Sequence, residues 1–248
     1  MKIENGVEML ELKIEANGIR TVFNPTLVWD EESAILIDAG MPGQLEDIRS
    51  AMDQAGVSIE RLTAVVITHQ DLDHIGSVTE LLKALDKTIP VYAHDLDKPY
   101  IEGEIPLMKT DPQRMSKEAW EALPEPAKAL YTNPPRVQVD KILNDGEELP
   151  YFGGIEIIHT PGHTPGHISL YIKKTKTLVA GDAMVSSNGK LFGPAERHTP
   201  DMETAKDSLK KFLAYDIKKV ICYHGGLVDE QVKEQLDQVA GADKTASE

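Results

Sequence analysis

Thr63-Ala-Val-Val-Ile-Thr68, running into His69-Gln-Asp71-Leu-Asp73-His74, is the stretch on which the fold reading turns. Its first half is a short, β-branched apolar run, which reads as a buried strand. Its second half places four metal-capable side chains within six residues. The arrangement recurs downstream. Ile155 to Ile158 runs into His159-Thr-Pro-Gly-His163, Leu178-Val-Ala180 into Gly181-Asp182, and Lys219-Val-Ile-Cys222 into Tyr223-His224. Groups just past the ends of strands in one sheet gather at one edge of it, where open α/β sheets hold their sites.

Upstream, Val7 to Ile14 alternates and meets the hairpin dipeptide Asn17-Gly18. Ile19 to Phe23, Leu27 to Trp29 and Ala34 to Ile37 continue as strands. A helix from Gln44 carries Leu45, Ile48, Met52 and Ala55 on one stripe and ends at Gly56. After the His/Asp loop come a helix from about Ile75 to Leu85 and a strand from Val91 to Ala93. Residues 95–136 hold seven prolines and no strand signal. They read as a helical, lid-like insertion with Tyr100, Leu107, Met108, Met115 and Trp120 as its apolar lid candidates; a peripheral packing element is the alternative. Strands resume at Val137 to Leu143, Ile155 to His159, Ile168 to Ile172 and Thr177 to Ala180. Thr199 is a fair N-cap with Pro200 at the first helical position. Ile217 to Cys222 is the last strand and Asp229 to Val239 the last helix. The polar tail, residues 241–248, is expected to fray. Residues 1–240 therefore predict one domain of the α/β class, an αββα sandwich of two mixed β-sheets flanked by helices.

Composition narrows the function. A chain of 248 residues buries a core large enough to need no staple. The single cysteine, Cys222, precludes an internal disulfide, suits the cytoplasm, and reads as a small core residue. No apolar stretch approaches the roughly 18 residues of a membrane span, so no membrane partner is expected. A formal net charge of −15 disfavours nucleic acid. The absence of a glycine-rich phosphate loop disfavours a nucleotide. A small-molecule substrate is the expected partner, and oligomeric state is not legible.

A lone histidine or aspartate in a loop is usually a cap or a turn residue. Four together differ, because carboxylates packed close cannot all stay ionised without compensation, which a divalent cation supplies. With His163, Asp182 and His224 added, two to three carboxylates and four imidazoles exceed one tetrahedral shell, which points to two metals.

These elements resemble the signature of the metallo-β-lactamase superfamily: HxHxDH, a histidine in a Gly-His-Thr turn, a Gly-Asp pair and a terminal histidine. Here they are His69-Gln-Asp71-Leu-Asp73-His74, Pro161-Gly-His163-Thr-Pro-Gly166, Gly181-Asp182 and His224-Gly-Gly226. The resemblance covers nearly the whole chain. It implies the αββα fold, His69 and His163 at a first metal, Asp73, His74 and His224 at a second, and Asp182 bridging both. Position 71 departs from the pattern, with an aspartate where most relatives have histidine. Asp71 either ligates, moving preference from zinc toward iron or manganese, or falls short and weakens the first site. Two divalent ions are expected, zinc first among them. His159 and His167 read as supporting or structural residues, and Asp38 as a partner for a ligating imidazole. His94 and His198 read as surface or capping residues.

The expected reaction is metal-assisted hydrolysis of a small ester, lactone, thioester or phosphoester, with Asp73 orienting the attacking water or shuttling a proton. The His163-Thr-Pro-Gly-His167-Ile-Ser-Leu stretch resembles acyl-homoserine-lactone hydrolases, yet their tyrosine after the bridging aspartate is missing. Two rival readings stand beside hydrolysis: an iron-dependent redox protein related to the flavodiiron branch, and a non-catalytic metal-stabilised module.

Overall fold

The computed structural model describes residues 1–16 and 18–241. Asn17 of the expected hairpin turn, and the tail from 242 onward, lie outside the described residues. The first sheet has seven strands. In spatial order they are Lys2–Glu4, Val7–Met9, Thr26–Trp29, Ala34–Ile37, Ala64–Val66, Val91–His94 and Lys141–Leu143. Pairing is antiparallel as far as Ala34–Ile37 and parallel from there on. The second sheet has six strands, Glu148–Leu149, Ile155–His159, Ile168–Ile172, Thr177–Gly181, Lys219–Cys222 and Gly226–Val228. Only Thr177–Gly181 and Lys219–Cys222 run parallel in it. Two hairpins, Leu12–Ala16 with Ile19–Phe23 and Val185–Ser187 with Lys190–Phe192, complete the strands.

Period-two alternation decides which side chain enters which layer. All of Ala34–Ile37 is buried, yet Ile35 and Ile37 join the core between the sheets while Ala34 and Leu36 face the helices. The same split separates Val179, between the sheets, from Leu178 and Ala180 on the far side. Such doubly buried strands read as unbroken apolar runs rather than as alternating ones. Ile48 and Met52 of helix Leu45–Gln54, with Val78 and Leu81 of helix Val78–Ala84, cover the outer face of the first sheet. Leu209 of helix Met202–Leu209 and Leu236 of helix Val232–Val239 cover the second. The architecture is the αββα sandwich.

Several boundaries differ from expectation. Val7 to Ile14 is two strands, because the chain leaves the large sheet after Met9 and pairs locally from Leu12. The strand expected from Val137 begins at Lys141. Val137 N donates instead to Ile101 O, and Val139 N to the Glu102 carboxylate, so the insertion claims that edge. Helix Leu72–Ile75 opens inside the His/Asp motif, so Asp73 and His74 sit on a helical turn rather than in a loop. Thr199 caps nothing: Asp201 accepts from Thr204 N, and the helix begins at Met202. Residues 95–136 form short helices at Lys98–Ile101, Lys117–Glu121 and Glu125–Thr132 with a 3₁₀ turn at Pro112–Arg114.

Candidate metal centre

The four strand ends deliver their polar residues to one rim. His69, Asp71, His163 and Asp182 form one cluster of donor atoms and Asp73, His74 and His224 another, each with its atoms within 4.8 Å of one another. Asp182 reaches both. Its Oδ2 lies 3.3 Å from His163 Nε2 and 3.3 Å from His224 Nε2, and its Oδ1 3.5 Å from His74 Nε2. All seven residues picked from the sequence are therefore brought together.

The imidazoles are oriented from behind. Asp38 accepts from Thr68 N at 2.8 Å and Thr68 Oγ1 at 2.7 Å, and its Oδ2 is 2.8 Å from His74 Nδ1. Since the Thr68 hydroxyl donates to Asp38, it accepts from His69 Nδ1 at 3.0 Å. The Thr199 hydroxyl donates to Ala195 O at 2.9 Å and accepts from His163 Nδ1 at 3.3 Å. Each Nδ1 is thus engaged from behind, which aims the Nε2 atoms of His69, His74 and His163 at the clusters. His69 Nε2, His74 Nε2 and Asp182 Oδ1 are buried with no hydrogen-bond partner among the described residues. His69 Nε2 and Asp71 Oδ2, 3.3 Å apart, are close enough to attract but misaligned for a hydrogen bond. Buried polar atoms are almost always satisfied, so partnerless nitrogens and a carboxylate oxygen converging on shared points fit a cation that would take the place of any proton there. The donor set of imidazoles and carboxylates suits a divalent metal.

The electrostatics agree. Burial works against charge on His74, but the Asp38, Asp182 and Asp73 carboxylates outweigh it and hold the imidazole well above its ordinary value. Burial likewise opposes charge on His224, and Asp182 and Asp73 push it up to about 10. Burial would raise Asp182, yet His224 and His74 hold it well below the usual carboxylate range. A site that pulls protons onto its imidazoles this strongly is short of positive charge.

Residues the sequence singled out less firmly also find roles. His167 is buried; its Nε2 accepts from Asp182 N at 2.9 Å and its Nδ1 meets Thr160 Oγ1 at 2.8 Å. Burial and the neighbouring His69 hold it well below its ordinary value, as an accepting nitrogen requires. His94 is not at the surface. It is buried and stacks on His159 with ring centroids 4.0 Å apart. His198 is exposed, as expected, and also lines the cavity beside the clusters. The Cys222 thiol is buried and pushed up to about 12 by that burial, in keeping with a core residue.

Three contributors went unrecognised in the sequence. Asp97, fully buried, accepts from Gln70 N, Gln70 Nε2, Thr164 Oγ1 and Gly166 N, tying the His69–His74 segment to the His163 turn. Tyr223 donates to Asp73 O at 2.5 Å, accepts from Gly40 N and lies against His74 with centroids 3.8 Å apart. Lys109 touches Asp71 and His163. Backbone shape matters too. Gly225, at φ +106°, follows His224 where a Cβ would sit 1.8 Å from Ser186 O, so only glycine lets that turn close.

The clusters open onto a cavity of ≈ 670 Å³. Leu107, Thr110, Ala127, Leu130 and Tyr131 of residues 95–136 form one wall, and Met41, Leu72, Val185 and Ala195 contribute elsewhere. Of the five expected lid residues only Leu107 lines it. Tyr131 supplies a phenol from the insertion, although no tyrosine follows Asp182 closely.

The probable metallo-hydrolase YflN of Bacillus subtilis is 33% identical over 218 residues, spanning 84% of this chain and 81% of that protein. The metallo-beta-lactamase family protein TTHA1429 of Thermus thermophilus superposes with a TM-score of 0.68 at 17% identity, covering 97% of this chain and 80% of that one. TTHA1623, solved in a di-iron-bound form, superposes with a TM-score of 0.62 at 25% identity, covering 91% and 97%. The profile of the metallo-beta-lactamase superfamily matches residues 22–224, and with the sandwich and its His/Asp rim this chain belongs to that superfamily.

Proposed function

We propose that this protein is a metal-dependent hydrolase acting on a small ester-type bond in a lactone, thioester, ester or phosphoester. One observation carries the proposal: two adjoining donor clusters share Asp182 and face a largely apolar cavity. His69, Asp71, His163 and Asp182 are the proposed holders of one divalent ion, and Asp73, His74, His224 and Asp182 of the other. Zinc is the expected ion; the Asp71 carboxylate, and the di-iron form of TTHA1623, support iron or manganese at the first position. When bound, such a pair lowers the pKa of a shared water and polarises the scissile group.

The protein's own residues do the rest. Asp73 lines the cavity with its carboxylate partly exposed, where the oxygen not turned to the cluster can take a proton from the attacking water and return it to the leaving group. The Asp73 backbone is fixed by the Tyr223 hydroxyl, so the carboxylate works from a rigid turn. The apolar walls contributed by Leu107, Leu130 and Val185 exclude bulk water and seat an apolar substrate body. Residues 95–136 serve as the lid that shapes this wall.

A panel of lactones, thioesters, carboxylic esters and phosphotriesters, assayed with zinc-, manganese- and iron-loaded protein, tests the proposal. Turnover of one class, abolished by chelation and by Asp73→Asn, is expected. Metal-replete protein inert toward the whole panel refutes it, and oxygen consumption by the iron form would favour the redox reading.

A further inference from the structure

Lys109 occupies the first cluster. Its Nζ lies 2.5 Å from Asp71 Oδ2 and 2.5 Å from His163 Nε2, two of the four donor atoms that converge there. His163 turns its Nδ1 to Thr199, and its Nε2, itself 3.0 Å from Asp71 Oδ2, closes a three-way contact with the ammonium and that carboxylate. No other lysine or arginine among the described residues pairs with any of the seven.

The placement is built into the backbone. Met108 N donates at 2.9 Å to Oε1 of Gln70, the residue between His69 and Asp71, and Gln70 is itself gripped by Asp97. On the other side Asp111 accepts from Gln113 N and closes the next turn, while Leu107 is buried. Lys109 is thus carried by a segment pinned on one flank to the residue between His69 and Asp71 and closed on the other by a local turn. Position 71 completes the logic. A neutral histidine there would offer the ammonium no charge, whereas the aspartate supplies an anion at contact distance.

An ammonium and a divalent ion cannot hold the same two donor atoms, since like charges a few ångströms apart in a poorly solvated site repel strongly. We propose that Lys109 is an internal competitor cation at the first position. Metal enters there only by displacing the ammonium, and the position made by Asp73, His74 and His224 fills first. Lys109 is a positioning residue in this account, and the inference rests on the reading of both clusters as metal positions.

Zinc titration of chelator-stripped protein against a chromophoric chelator gives the two dissociation constants. In native protein they are separated. In Lys109→Met the weaker constant falls by about tenfold to a hundredfold, the worth of a hydrogen bond to a charged group. The tighter constant moves by less than about threefold, because its donors do not touch Lys109. A second measurement uses native protein alone. Amine acylation read by peptide mass spectrometry finds Lys109 protected without zinc and reactive at saturating zinc. Equal weak-site affinity in native and Lys109→Met protein, or equal Lys109 labelling with and without zinc, overturns the inference while leaving the metal centre standing. No zinc binding by either protein overturns the metal-centre reading itself.

Discussion

Removing the Asp97 carboxylate cuts the tie between two loops that carry candidate ligands. Asp97 takes four hydrogen bonds, from Gln70 N at 2.9 Å, Gln70 Nε2 at 3.2 Å, Thr164 Oγ1 at 2.7 Å and Gly166 N at 2.8 Å. Asp97→Ala leaves those donors facing a void inside the protein. Each unpartnered buried donor costs about 1–3 kcal/mol. Water entering the vacated space rescues part of this, so the low end of the range applies to each, giving about 4 kcal/mol in total. Against a total stability of about 5–15 kcal/mol that is a large fraction. At this chain length it lowers the melting temperature by roughly 8–16 °C. Urea and thermal unfolding of chelator-stripped protein, followed by circular dichroism, measure it without interference from bound metal. Because Gln70 lies between His69 and Asp71, and Thr164 follows His163, the variant should bind zinc more weakly as well. A loss below about 1 kcal/mol would mean that the four bonds are not a structural hub, and the reasoning fails.

Other perturbations give equally definite outcomes. Asp38→Ala deprives His74 of its Nδ1 partner and Thr68 of its acceptor, so zinc affinity falls by about 10–100-fold in competition titrations. His224 is held at about 10 in the folded metal-free protein against 6.5 ordinarily. A raised folded value adds stability that is complete below pH 6.5 and disappears as pH climbs through 10. Chelator-stripped protein should therefore lose stability over that window in unfolding titrations. Zinc displaces the same proton, so its affinity should rise with pH across the window, with proton release visible as buffer-dependent calorimetric heat. Gly225→Ala must relieve both a left-handed φ of +106° and a contact with Ser186 O. It should cost about 1–3 kcal/mol or more, seen as a lower urea midpoint.

The strand ends were legible because sequence places a ligand type directly after each buried run: Thr68 before His69, Ala180 and Gly181 before Asp182, Cys222 and Tyr223 before His224. The layer order followed from the order of elements, several strands and then strand–helix alternation in each half of the chain. Asp97 was illegible because its partners Thr164 and Gly166 lie 67 and 69 residues away and meet it only in the folded rim. Lys109 was hidden for a similar reason, in a proline-rich segment without periodic pattern. Thr199-Pro200 carries an ordinary helix-start signal, but its hydroxyl is drawn to His163 while Asp201 takes the cap. Tyr223 reads as the end of an apolar strand, and only the packing of His74 against its ring reveals its place behind the centre.

Anomalous X-ray diffraction from crystals of metal-saturated protein, collected at the absorption edge of the added ion, tests the central claim most directly. Two peaks are predicted, one among His69, Asp71, His163 and Asp182 and one among Asp73, His74 and His224, with Asp182 contacting both. Saturated crystals with no ion among these seven residues would contradict the account.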